Sequence, residues 1–378
     1  MIYLDNAATT YPLPYETVKG ITKALDKFGA NPGRGGYEMS VLSGAAVYDC
    51  REKAAKMFGL DSPERVVFTP GCTYSLNFVI KAHFKPGCNM VCSSLEHNAV
   101  MRPMYALSQK GADIRVAKVS FVNEEETLSS FERLIDQNTS LVVCTHASNV
   151  CGFILPIEKL GKLCRKKKVP FCVDAAQSAG ILDVDMQKMK IDFLCIPGHK
   201  GLYGPMGVGL MLCGGDIKNT VIEGGTGNMS LSFLQPDSLP ERFESGTLNV
   251  PGIVGLSGGM DFVLKHRADI YPREHRLMKM CYNGLSAMGN VRLYTDGFDE
   301  RYVPLISFNI KGMQAEKTAY RLGERGICVR AGLHCAPSAH RVIGSIDSGT
   351  VRVCPSAFTK TSDISSFLRA VNAIASGR

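Results

Sequence analysis

The chain has 378 residues, 45% hydrophobic and 21% charged, enough for one or two globular domains with a sizeable core. No apolar run approaches the roughly 20 residues that a membrane helix needs, and the opening MIYLDNAATT carries neither the basic nor the apolar region of a signal peptide. The formal charge of +8 is spread along the chain, and its densest run, Arg165 to Lys168, closes an expected helix and complements the dipole there, which argues against a nucleic-acid partner.

The clear pattern of elements begins at residue 65. Residues 65–69 (RVVFT) read as a strand and 73–84 as a helix. Strands are expected at 89–94, 113–119 and 140–146, a helix at 155–167, and strands again at 170–176, 192–197 and 208–213. Short β-rich runs separated by helices require crossover connections, so the expected fold is α/β with a mostly parallel sheet. In such sheets ligands sit beyond the carboxyl ends of the strands. A helix at 255–288 then leads to strand-like runs at 291–295, 304–310, 327–332 and 350–355, a smaller α+β unit. The expected division is 15–254 and 255–378, with residues 1–14 packing against the smaller unit. Fourteen cysteines form no CxxC pair, and several, such as Cys144 and Cys195, fall in expected buried strands. That usage fits a reducing cytoplasm better than a disulfide framework.

Four segments at strand ends carry candidate chemistry. PGHKGLYGPMGVG (197–209) places Lys200 on a glycine-rich turn. Its glycines precede a strand rather than a helix, so they are not a dinucleotide fingerprint. VDAAQSAG (173–180) ends a strand on Asp174, which is either a helix cap or a carboxylate that keeps a pyridine nitrogen protonated. A lysine Schiff base and such an acid are the two requirements of pyridoxal phosphate as an electron sink. FTPGCTYSLNFVI (68–80) is a strand, a turn and a helix start, either a plain cap or a phosphate site in which Cys72 and Thr73 offer backbone and hydroxyl donors. SSLEHNAV (93–100) places His97 at a helix start, as a cap or as an imidazole against a cofactor ring. Cys88, Cys92 and His97 lack the second ligand pair of a metal site, and none is expected.

These segments, with LDNAATT (4–10), NPGRGGYEMS (31–40), HASNVCG (146–152) and FESGTLNVPG (243–252), occur in the order seen in class V aminotransferase-fold enzymes. They resemble cysteine desulfurases and selenocysteine lyases from Leu4 to about Phe367. The resemblance implies a fold type I pyridoxal-phosphate enzyme with a large and a small domain. It implies that Lys200 carries the cofactor, that Asp174 pairs with the pyridine nitrogen, and that His97 stacks on the ring. Asn149 and Gln177 would reach the phenolic oxygen, and Thr73 and His199 the phosphate. Thr247 would complete the phosphate site from a second subunit, so a homodimer is expected. Pro197 stands where these families usually place a phosphate-binding serine.

VRAGLHCAP (329–337) is similar to the cysteine-bearing loop of group II desulfurases, with Leu333 in place of a frequent histidine. A thiolate at Cys335 is the nucleophile needed to take up sulfur, and Arg330 and His334 are the nearby groups expected to favour it. Arg352 matches the arginine that holds a substrate carboxylate, which a planar guanidinium does with two parallel bonds. Asn149 and Arg330 are the further expected substrate contacts. The implied reaction converts L-cysteine to L-alanine, with the sulfur left on Cys335 as a persulfide for an acceptor thiol or protein. Selenocysteine cleavage, or transamination or β-elimination on the same scaffold, are the alternatives. A non-catalytic cofactor-binding scaffold fits less well with the intact set of candidate residues.

Overall fold

The computed structural model describes residues 1–378 apart from Arg34, Lys218 and Arg378, so Arg34 of the 31–40 motif lies outside the described residues. The central sheet has seven strands in the order β2 (Val66–Thr69), β8 (Gly209–Cys213), β7 (Phe193–Pro197), β6 (Phe171–Asp174), β5 (Thr139–Thr145), β3 (Asn89–Ser93) and β4 (Asp113–Ala117). Only β8 runs against its neighbours, and the pairings from β7 to β4 are parallel. Helices α3 (Cys72–Ala82), α4 (Asn98–Ser108), α5 (Glu124–Leu134) and α6 (Ile157–Lys167) connect the successive strands from β2 to β6, and residues 175–192 join β6 to β7 through turns.

These strands read as continuous apolar runs because both faces of the sheet are covered. Successive residues of one strand enter different cores. Val142 and Cys144 of β5 join Val91, Val173 and Leu194 on one side. Leu141 and Val143 join Met90, Cys92, Cys172 and Cys195 on the other. Each fully buried aliphatic side chain contributes about 1.5–3 kcal/mol. The cysteines behave as small hydrophobes: eleven are buried, Cys328 and Cys354 are half-buried, and Cys335 is the exposed one.

Two helices that the sequence patterns did not single out, α1 (Tyr15–Lys27) and α2 (Glu38–Phe58), pack against α7 (Val250–Ser286). That helix starts five residues before its expected first turn and runs for 37 residues. Its glycines permit unusually close packing. A β-carbon on Gly258 would lie 2.3 Å from the carbonyl oxygen of Glu16 in α1, and one on Gly259 the same distance from that of Leu202. The expected division between residues 254 and 255 falls inside α7.

Beyond α7 lies a four-stranded antiparallel sheet, in the order β12 (Arg330–Gly332), β13 (Thr350–Val353), β10 (Ile306–Ile310) and β9 (Val291–Leu293). Helices α8 (Ala315–Gly323), α9 (Pro337–Val342) and α10 (Thr361–Ala375) belong to the same region. The run expected as one strand at 327–332 is two, because β11 (Ile327–Cys328) pairs instead with β1 (Ile2–Tyr3). The chain then passes from β1 to a bridge between Asp5 and Cys354, which brings residues 5–10 beside β13 and the Lys200 turn.

Candidate active site

The carboxyl ends of the parallel strands and the edge of the second sheet enclose a cavity of about 380 Å³. Cys72 and Thr73 enter from the start of α3, and His97 from the turn after β3. Asn149 follows β5, Asp174 and Gln177 follow β6, and His199 and Lys200 follow β7. Arg330 of β12 and Arg352 of β13 close the far wall with Cys335. Of the residues expected from sequence, Thr247 is the one the fold leaves outside. It is exposed, in a neighbouring depression lined also by Pro70 and Tyr74.

Lys200 sits on a turn pressed against residues 175–182. A β-carbon on Gly180, whose φ is +82°, would lie 2.0 Å from the carbonyl oxygen of Gly201, so only glycine lets the two turns meet. Burial, then the nearby Arg352 charge, push the Lys200 amine below its ordinary value, and Asp174 acts in the opposite direction. Asp174 is 3% exposed. Its Oδ1 accepts from the Ala176 N–H at 2.9 Å and from Cys72 Sγ at 3.5 Å, so it serves as a local cap and also lines the cavity. His97 likewise combines a cap with a place at the cavity. It caps α4 by accepting the Ala99 N–H on Nδ1 at 3.0 Å, and it lines the cavity. Burial lowers it to about 4, so the ring is neutral.

Arg352 is almost wholly buried. It donates through Nη2 to Asp5 at 3.1 Å and through Nη1 to the carbonyl of Asn149 at 2.9 Å. Its Nε and the Nδ1 of His199 are buried without a hydrogen-bond partner among the described residues. Unpaired buried polar groups of this kind call for a ligand or water. Gln177 donates to the Ala7 carbonyl at 3.1 Å, and Asn149 Nδ2 to the His334 carbonyl at 2.7 Å.

One sequence reading changes, and one residue gains a role. His334, expected to lend positive charge to Cys335, is buried and neutral. Burial, with the repulsion of Arg352, lowers it to about 2, and its Nε2 lies 3.0 Å from the Thr350 carbonyl. The cations on this side of the cavity are therefore the buried Arg352 and Arg330, which is exposed and lines it. Asp5 was part of a quoted motif without a role. Its pairing with Arg352 spans 347 residues of sequence and carries no local signal. Pro197 ends β7 at the cavity wall, where it offers neither a hydroxyl nor an N–H.

A seven-stranded, mostly parallel sheet with a half-buried lysine, a buried acid and a helix N-terminus lining one cavity at its strand ends defines a fold type I, pyridoxal-phosphate-dependent protein. The chain belongs to the aminotransferase class-V family, whose model matches residues 2–367. It is 32% identical over 362 residues to a "probable cysteine desulfurase" of Methanothermobacter thermautotrophicus, covering 93% of this chain and 89% of that one. A second "probable cysteine desulfurase", from Pyrococcus abyssi, is 30% identical with 97% and 92% coverage. Among solved structures, the apo cysteine desulfurase of Thermococcus onnurineus NA1 superposes with a TM-score of 0.86 at 30% identity, covering 100% of this chain and 95% of that one. The family depends on pyridoxal phosphate, and the residues present fit it. The cavity pairs a buried amine with a buried carboxylate and supplies free N–H donors at the start of α3. It also offers the unpartnered His199 Nδ1 to an anionic group.

Proposed function

We propose that the protein is a cysteine desulfurase, taking sulfur from L-cysteine onto Cys335 and releasing L-alanine. The observation that carries this reading is that the one exposed cysteine of fourteen lies at the cavity that holds Lys200 and Arg352. Bound pyridoxal phosphate supplies an electron sink for the pair left at Cα when its proton departs.

The chain's residues divide the remaining work. Lys200 Nζ, buried and biased toward the neutral amine, anchors the cofactor and then carries the Cα proton. Asp174 keeps the ring nitrogen protonated, His97 packs on the ring, and Asn149 and Gln177 reach the ring oxygen. Thr73, His199 and the backbone at Cys72 bind the phosphate. Arg352, whose Nε is unpartnered, holds the substrate carboxylate with Asn149 and Arg330. The Cys335 thiolate attacks the substrate sulfur. An S–S bond forms as the carbon–sulfur bond breaks, the electron pair stays with carbon, and a proton there completes alanine. A thiol or protein acceptor then removes the sulfur from Cys335. The working unit is a homodimer in which Thr247 reaches the neighbouring cavity, and the compartment is the reducing cytoplasm that so many free thiols require. Among the described residues no helix is long and apolar enough to cross a membrane.

The test is to incubate the protein with L-cysteine and a reductant and to quantify alanine and sulfide. Cys335→Ser should retain pyridoxal phosphate and lose alanine formation by about two orders of magnitude or more, because a hydroxyl is a poor nucleophile toward sulfur. A Cys335→Ser variant that makes alanine at the wild-type rate would remove Cys335 from its role, and pyruvate or a 3-mercapto-2-oxo acid in place of alanine from the wild-type protein would transfer the assignment to a β-lyase or a transaminase.

A further inference from the structure

The turn that carries Cys335 is held in an unfavourable conformation. His334 and Cys335 both lie in the left-handed region, at φ of +47° and +56°, though neither is a glycine. Consecutive residues of this kind persist only where the surroundings impose them. Here both carbonyls are tied down. The His334 carbonyl accepts from Asn149 Nδ2 at 2.7 Å, and the Cys335 carbonyl accepts from the backbone N–H of Asn98 at 2.7 Å. The His334 ring is buried against Thr350, which fixes the turn from behind.

Both ties start from the cofactor cavity. Asn98 follows His97, which lines the cavity and caps the same helix. Asn149 lines the cavity itself, is 9% exposed, and its backbone carbonyl accepts from Arg352. A side-chain amide has two N–H donors and a carbonyl. One N–H is spent on His334, and the rest of the Asn149 amide makes no hydrogen bond to the described residues. It remains for whatever fills the cavity.

We propose that Asn149 is a positioning residue for Cys335, its amide joining the contents of the cofactor cavity to the backbone of the sulfur-accepting turn. This rests on the desulfurase reading and extends it. A group that hydrogen-bonds the free edge of the amide restrains its torsions and, through the His334 carbonyl, the left-handed turn. The nucleophile is then fully ordered only when the cavity is filled.

Hydrogen exchange of the tryptic peptide 331–341, which contains Cys335 as its one cysteine, tests this without reference to turnover. Wild-type protein stripped of cofactor is compared with the same protein reloaded with pyridoxal phosphate. Loading should slow exchange in this peptide by about threefold or more. The difference should disappear in Asn149→Asp, which is isosteric but has no N–H to donate, and in Asn149→Ser, which is too short. Iodoacetamide labelling of Cys335 should follow the same pattern. Equal wild-type exchange with and without cofactor overturns the proposal, and this comparison needs no variant to fold. A cofactor effect that survives in a folded Asn149 variant also overturns it. Either result can coexist with desulfuration that depends on Cys335, whereas a fully active Cys335→Ser defeats the sulfur-accepting role of Cys335 whatever the turn does.

Discussion

Lys200 shows how one residue's role depends on both its neighbours in sequence and its burial. In the chain it is a lysine on a glycine-rich turn, the commonest kind of surface position. In the fold it is half-buried, shares a cavity with Asp174, and is pushed toward the neutral amine by desolvation and by Arg352. A neutral amine is what covalent attachment of a carbonyl cofactor requires. Borohydride reduction of the loaded protein should therefore fix the cofactor to Lys200, as read by peptide mass, at a pH well below the ordinary lysine value of about 10.4. Lys200→Ala should leave no reducible label. A label on another lysine would remove Lys200 from its role. Asp174 and His97 were legible as alternatives, cap or cofactor contact, and the fold shows that one side chain serves as a cap while also lining the cavity. His334 was misread because the charge state of a histidine is set by burial, which its neighbours in sequence do not report.

At the scale of elements, α7 carries a buried acid with a measurable consequence. Glu274 is 2% exposed and is hydrogen-bonded by the Tyr203 hydroxyl at 3.2 Å. Burial raises it from 4.5 to about 8, against the opposing effects of Tyr203 and Arg273. The unfolded chain releases this proton near 4.5 and the folded chain only near 8. Between those values the folded state holds more protons, so stability falls as pH rises, by about 1.4 kcal/mol per unit at most. Glu274→Gln cannot ionise. Its denaturation midpoint should match wild type near pH 4.5, exceed it increasingly toward pH 8, and run parallel above that. A constant offset across this range would mean that Glu274 titrates normally. Helix α7 itself was half legible. Its apolar period was visible, but its first turn begins at Val250, where Asn249 caps it by accepting the Gly252 N–H at 3.1 Å. The glycines that follow weaken a helix in isolation; here Gly255 and Gly258 pack closely on α1 and Gly259 on Leu202.

For the whole molecule, the position of Thr247 is the informative one. The segment before it is anchored by Glu244, which pairs with Arg51 and accepts the Phe68 N–H at 2.6 Å. Thr247 nevertheless lines a neighbouring depression and not the Lys200 cavity of its own chain. If it completes a phosphate site, a second copy must bring it there. Sedimentation should give about twice the 41.0 kDa chain mass. Thr247→Ala should lose cofactor several-fold faster on dialysis while remaining dimeric. A fully active monomer would exclude the shared site. The sequence by itself determined the α/β alternation, because strands covered on both faces must be apolar throughout and most of the segments that join them are helices with their own apolar period. It also marked Lys200, Asp174 and His97 as polar residues at the ends of expected strands, and Cys335 through the resemblance of its loop to that of group II desulfurases. Tertiary structure alone decided which cysteine of fourteen is exposed, that Asp5 holds Arg352, that His334 is neutral, and that Asn149 ties the cavity to the Cys335 turn. Those facts depend on burial and on contacts between segments separated by 185 to 347 residues, and no local pattern in a chain encodes such distances.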